Sequence, residues 1–160
     1  MSKKSSGKGP ARGRGHWKNP SRIRLDPDNS FGFVYVIVNL LTGQRYIGKK
    51  QYHQYRKGVR TRSSDWRTYT SSSRHVNEDI KKQGKRNFHF EILVEFNTRS
   101  GLVYGETHLQ HVCNVLTEKL GDDERLFYNR FIDKIRFIPK EFMTAKQKEK
   151  VVSRVLEDFH

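Results

Sequence analysis

The run Phe33-Val34-Tyr35-Val36-Ile37-Val38 constrains this chain more than any other stretch, because it is wholly β-branched or aromatic and belongs in a buried strand. Asn39-Leu40-Leu41-Thr42-Gly43 then supplies turn chemistry, and Gln44-Arg45-Tyr46-Ile47-Gly48 resumes an extended pattern. Two strands joined by a short glycine-containing turn predict an antiparallel hairpin. A third strand is predicted over residues 88–96. Its even positions Phe88, Phe90, Ile92, Val94 and Phe96 should share one buried face, leaving His89, Glu91 and Glu95 to solvent.

Helical patterns separate and follow the strands. Ser71-Ser72-Ser73 is suited to cap a helix that passes through Val76 and Ile80 and stops at Gly84. A longer helix is expected from about Ser100 to Leu120, with Leu102, Leu109, Cys113, Leu116 and Leu120 forming a stripe at three- and four-residue steps. A charged helix from Thr144 to Phe159 closes the chain. The expected fold class is α+β, a small three-stranded antiparallel sheet flanked by helices. Residues 1–30 read as a flexible basic arm, with Trp17 free to stack on a base. Residues 31–138 form the domain, and residues 139–160 a C-terminal helical extension.

Charge restricts the partner. The 160 residues carry 32 Lys+Arg against 17 Asp+Glu, a net charge of +15, so the natural counterpart is a polyanion, most often nucleic acid. No apolar run approaches the roughly 18 residues needed to span a bilayer, and no apolar stretch of signal type follows Met1, so a cytoplasmic protein without a membrane partner is expected. Cys113 is the only cysteine, which excludes an intramolecular disulfide and any multi-cysteine zinc site. The stretch from Lys49 to Arg74 is polar and basic, and Lys49, Lys50, Arg60, Arg62 and Arg67 are its candidate nucleic-acid contacts.

Glu106 is the most informative single residue. It stands four residues after Leu102 and three before Leu109, inside the apolar stripe. A carboxylate there must be paired, protonated or holding a metal, and a salt bridge to a buried Lys or Arg carries equal weight as an explanation. Tyr35 and Tyr46 lie eleven positions apart and should sit nearly opposite each other across the hairpin. Gly48, at the end of the second strand, would let a phosphate backbone approach. Phenols beside lysines and arginines can be partly ionised near a scissile phosphate. His108 and His111 fall off the face that carries Glu106, which argues against a zinc site.

Val34-Tyr35-Val36, the eleven-residue step, and Tyr46-Ile47-Gly48 resemble the GIY-YIG nucleases. The resemblance continues in order through Arg56, a helix, a Phe-rich strand, the helical Glu106 and Tyr128-Asn129. Tyr46-Ile47-Gly48-Lys49-Lys50, Ser64-Asp65-Trp66-Arg67-Thr68-Tyr69, Asp79-Ile80-Lys81-Lys82-Gln83-Gly84-Lys85, Asn87-Phe88 and Tyr104-Gly105-Glu106 are similar to small tailed-phage members of that family. The likeness covers about residues 33–130. It departs at the first motif, where Val34 and Val36 flank the tyrosine in place of the family's usual residues.

The resemblance implies a DNA endonuclease that hydrolyses phosphodiester bonds with one divalent cation (Mg2+ or Mn2+), Glu106 being its only protein ligand. It further implies Tyr35 activating the attacking water, Tyr46 orienting it or holding the phosphate, and Arg56 neutralising a non-bridging oxygen, with Arg60 and Arg62 as alternatives for the arginine. Gly48, Asn129 and His53 would support the site. Double-stranded DNA is the implied substrate. One active site cuts one strand, so a double-strand break needs a homodimer or two visits, and a phage-encoded enzyme would act in the host cytoplasm. The rival reading is a non-catalytic basic nucleic-acid-binding protein, RNA-binding or ribosome-associated, which leaves Glu106 and the ordered tyrosines unexplained.

Overall fold

The computed structural model of the chain describes residues 13–159. Its centre is a three-stranded antiparallel sheet in the order β2-β1-β5, with β1 spanning Gly32–Asn39, β2 Arg45–Gln51 and β5 Phe88–Phe96. Every residue of β1 is buried, as its β-branched composition requires. A separate two-stranded ribbon, β3 (His53–Arg56) with β4 (Val59–Ser63), lies between β2 and the first helix. The helices are α1 (Arg74–Gln83), α2 (Arg99–Val112) and α3 (Ala145–Val155). Helix α1 begins on the Ser73 side chain, which accepts from the Val76 backbone N–H, and stops at Gly84, as the sequence indicates.

Both faces of the sheet are covered, and this changes how β5 is read. One face carries Val34, Val36, Val38 and Ile47 against Leu102 and Leu109 of α2, Cys113 just past its end, and Val151 and Val155 of α3. The other carries Phe33, Tyr35 and Ile37 against Trp17, Tyr52, Trp66 and Val76. Val34 pairs with Val94 but Tyr35 pairs with Ile92, so Leu93 is an extra residue in β5. That bulge turns the strand over: Phe88, Phe90 and Ile92 pack on one face, and Val94 and Phe96 on the other. The expectation of a single face for all five fails for that reason.

Glu91 and His89 also depart from the expected solvent exposure. Glu91 is fully buried and takes two hydrogen bonds from the Arg154 guanidinium, at 2.7 and 2.6 Å, with His89 Nε2 at 2.8 Å. Glu95 is half-buried and accepts from Tyr52 Oη at 2.6 Å and Ser30 Oγ at 2.8 Å. Helix α3 thus extends the core: its apolar residues fill one face of the sheet while Arg154 neutralises a strand carboxylate. Thr144 and Gln147 form the capping box that starts it.

Residues 13–30 are not a free arm. Lys18 bridges β5 through the Phe90 carbonyl at 2.6 Å and the Ile92 N–H at 3.0 Å. Trp17 is 1% exposed and its indole N–H donates to the Trp66 carbonyl at 2.5 Å, so it is a core residue and not a base-stacking one. The remainder of the expected arm, residues 1–12, lies outside the described residues. Helix α2 ends at Val112, earlier than expected, because Asn114 takes a left-handed backbone with φ of 54°. Leu116 and Leu120 consequently leave the stripe and are exposed. Cys113 remains inside, its thiol pushed up to about 12 by burial. Among the described residues no helix is long and apolar enough to cross a membrane.

Candidate active site

The site begins at the free edge of β2. Asn129 clamps the peptide of Ile47 from both sides, its Oδ1 accepting from the Ile47 N–H at 3.1 Å and its Nδ2 donating to the Ile47 carbonyl at 2.9 Å. Gln110 of α2 donates to the same carbonyl at 3.1 Å. A buried strand edge is costly unless its polar groups are met, and here two side-chain amides meet them. The clamp fixes Tyr46 and Gly48, the neighbours of Ile47 along the strand.

Across the ladder Tyr35 pairs with Gly48, and Tyr46 with Ile37, so the two phenols are diagonal neighbours on one face. Their ring centroids are 6.3 Å apart. A Cβ on Gly48 would run into the Tyr35 hydroxyl and the Tyr46 ring. The glycine therefore makes room for the tyrosines; the space expected for a phosphate backbone is already filled.

Tyr35, Tyr46 and Glu106 line one cleft of about 270 Å³, together with Lys49, Lys50 and Tyr69. Glu106 projects from α2 and is 8% exposed. Lys49 Nζ donates to its Oε1 at 3.1 Å, so the salt bridge weighed from the sequence exists. Lys50 lies 2.7 Å from an Asp65 carboxylate oxygen and 3.9 Å over the Tyr69 ring. Tyr69, itself 6.3 Å from Tyr35 between centroids, is a lining residue that the sequence did not single out as part of the site. Its three-residue step from the buried Trp66 was the available signal, too weak to separate lining from packing.

Burial dominates the protonation of these groups. It drives the Tyr35 phenol well up from its ordinary value, helped by Tyr46, Tyr69 and Glu106. It pushes Tyr46 up to about 12 against a hydrogen bond to Ser72 that pulls the other way. The Glu106 carboxyl is raised by burial, with Lys49 opposing and Asp133 adding to the rise. The expected partly ionised phenols are not found: both tyrosines are neutral at pH 7, because desolvation exceeds any help from nearby cations.

The other expected site residues stand elsewhere. Arg56 is exposed at the end of β3, paired with Val59, and does not line the cleft. Arg60 donates to the Asp28 carbonyl and Arg62 to the Gln54 side chain. Arg67 donates to the Gly13 carbonyl and covers the Trp66 ring at 4.5 Å. His53 opens the ribbon opposite Ser63, close to Arg60 and Asp28, and is likewise outside the cleft. The cations in the cleft are Lys49 and Lys50.

Among the described residues, Glu106 is the one carboxylate that lines the cleft, so any cation there would be held through it. No group of three or more His, Cys, Asp or Glu side chains gathers among the described residues. A magnesium-type ion does not require one, since it keeps most of its waters and binds through one or two carboxylates. Six waters at about 30 Å³ each occupy roughly 180 Å³, which the cleft accommodates. The oxygen donors around Glu106, the phenols and Ser72, suit a hard cation.

With the hairpin, the helical glutamate and the clamped strand edge in place, one comparison decides the family. Residues 17–132 match the family model described as "Putative endonuclease segE, GIY-YIG domain". The chain belongs to the GIY-YIG endonuclease family. The matched span begins at Trp17, the residue that enters the core ahead of β1, and reaches past Asn129. No curated protein and no solved structure matches the chain. As a GIY-YIG endonuclease it is a nuclease acting on DNA.

Proposed function

We propose that this GIY-YIG endonuclease hydrolyses double-stranded DNA with a single divalent cation, magnesium or manganese, held by Glu106. The observation that carries the reading is the meeting of Tyr35, Tyr46, Glu106, Lys49 and Lys50 in one cleft, from two strands and a helix. Glu106 would hold the ion through its carboxylate, with Lys49 swinging off that oxygen on its flexible stem. A bound divalent ion supplies charge stabilisation at the departing 3′ oxygen and the crowded phosphorus.

The remaining work falls to the chain. The bond from a water oxygen to phosphorus forms as the bond from phosphorus to the 3′ oxygen breaks, the water's proton passing to solvent and the departing 3′ oxygen taking one from solvent. Tyr35 contacts the water and Tyr46, the more open of the two, holds the phosphate; both act as neutral hydroxyls, through hydrogen bonds. Lys49 and Lys50 neutralise a non-bridging oxygen, the part expected of Arg56, because they are the cations that line the cleft. Asn129 keeps the strand edge in register. The reading carries with it a cytoplasmic site of action in an infected host and, for a double-strand break, two protomers or two visits.

Supercoiled plasmid tests it. Nicked or linear product with magnesium, none with EDTA, and none from Glu106→Ala in magnesium are expected, the variant still retarding DNA in a gel. Cleavage by Glu106→Ala would remove Glu106 from the reaction.

A further inference from the structure

The β3–β4 ribbon contributes one half-buried aromatic to the body and otherwise little to any core. All of β4 is exposed, as are Gln54 and Arg56 in β3. Tyr55 stacks on Phe31 with centroids 5.2 Å apart, and the Arg60 guanidinium holds the Asp28 carbonyl, which fixes the ribbon to the domain at the rung next to its tip pair Arg56–Val59. The far end is a two-residue turn, Lys57 and Gly58, with φ of 52° and 79°. That is the tight turn whose twist matches the flanking strands, so the ribbon is a built element.

Its chemistry is one-sided. Residues 49–64 contain six Lys or Arg and no Asp or Glu. Arg56 and Lys57 at the tip have side chains with no partner among the described residues, and Val59 beside them is 65% exposed. An isolated hairpin is marginally stable in water, and an exposed valine at its tip gains nothing from packing. A ligand with anionic walls and a floor that offers hydrogen-bonding groups beside apolar methyls would supply the missing contact. The major groove of duplex DNA has both, and it is wide enough, at about 12 Å, to admit a two-stranded ribbon.

We infer that the β3–β4 ribbon enters the major groove beside the cut and reads base edges, Arg56 meeting a guanine and Val59 a thymine methyl group. The inference rests on the double-stranded DNA substrate proposed above and gives that substrate its sequence selection. The ribbon follows directly on β2, whose Lys49, Lys50 and Gln51 line the cleft, so the bases read lie within a few steps of the scissile bond. Arg60 and Arg62, each held by a neighbour, stay on the strand where the phosphate walls pass.

The experiment maps the cut ends of a random-sequence duplex library for the unaltered protein and for Arg56→Ala, Val59→Ala and Arg56→Lys. It is paired with a binding assay in which guanine N7 is methylated and Glu106→Gln serves only to bind. The unaltered protein should show base preferences next to the cut. Arg56→Ala should flatten one position by roughly ten- to a hundred-fold, with Arg56→Lys failing to restore it. N7 methylation should weaken binding at that position, and only when Arg56 is present. Cutting without base preference, or a preference unchanged in Arg56→Ala, overturns the inference. A salt-dependence slope reduced by about one in Arg56→Ala with preferences intact also overturns it, since that marks a phosphate contact. A protein that fails to cut in magnesium overturns the proposed reaction alone, because methylation interference still reports the ribbon.

Discussion

Lys49 Nζ rests 3.1 Å from Glu106 Oε1, closing the cleft side of a carboxylate that α2 buries in an otherwise apolar stripe. The pair answers in two ways to the cost of a buried charge. Lys49 compensates Glu106 in the free protein, and its long stem lets it withdraw when another cation arrives. Because burial raises the Glu106 carboxyl, protons compete with the cation at a higher pH than they would at an exposed glutamate. The magnesium needed for half-maximal cleavage should therefore climb as pH falls from 8 to 5. A magnesium titration at each pH checks this, and an unchanged midpoint would separate Glu106 from cation binding.

Glu106→Gln keeps the shape and removes the charge. Cleavage should fall by about a thousandfold, some 4 kcal/mol of transition-state stabilisation, while the melting temperature holds or rises because a buried charge is gone. Rate and melting curve measured on one preparation distinguish this from unfolding.

Gly48→Ala places a methyl group against the Tyr35 hydroxyl and the Tyr46 ring. Overpacking of this kind costs about 1–3 kcal/mol, and cleavage should suffer further as the phenols shift. Tyr35→Phe combined with Gly48→Ala should recover part of the stability by removing the struck oxygen. Additive losses in the thermal melts of the double variant would contradict the contact.

Arg154→Met should destabilise by about 3 kcal/mol or more, since it leaves a fully buried carboxylate without its guanidinium. Burial pushes the Glu91 carboxyl up, but Arg154 and His89 override it and hold it below its ordinary value. A depressed acid stabilises above its unfolded pKa of about 4.3 and loses that contribution as pH falls through the lower folded value. Acid unfolding of the unaltered protein should thus begin below pH 4.3, and in Arg154→Met at a higher pH. Melting curves from pH 3 to 7 give both.

Asn129→Ala strips the side-chain acceptor from the Ile47 N–H and one of two donors from its carbonyl, leaving Gln110 there. A loss of about 2 kcal/mol is expected, with cleavage falling more than stability because Tyr46 and Gly48 lose their register. Hydrogen exchange at the Ile47 amide would show the released edge directly.

Short-range signals made much of this molecule legible from its residues. The β1–β2 hairpin, the Ser73 and Gly84 boundaries of α1 and the oddity of Glu106 all follow from neighbours within one strand or a few helical turns. What escaped depends on distant partners. Glu91 looks solvated until Arg154, 63 residues on, is placed beside it. Trp17 sits in a basic, glycine-rich stretch whose composition hides one large core residue. Leu93 is an extra residue that exchanges the two faces of β5, an irregularity that depends on pairing with β1 and that no alternation within the strand records. Arg56 has the family's spacing, yet the ribbon carries it away from the cleft, since spacing along a chain fixes distance only when the intervening structure is regular.

The solitary thiol offers a practical opening. Cys113 is shut in beneath α2 with its acidity suppressed by burial, so it will stay silent toward maleimides and mild oxidants. A fluorophore attached to a cysteine newly installed at Lys57 would then be the sole label on the protein, and its emission would report the hairpin tip approaching a duplex in real time.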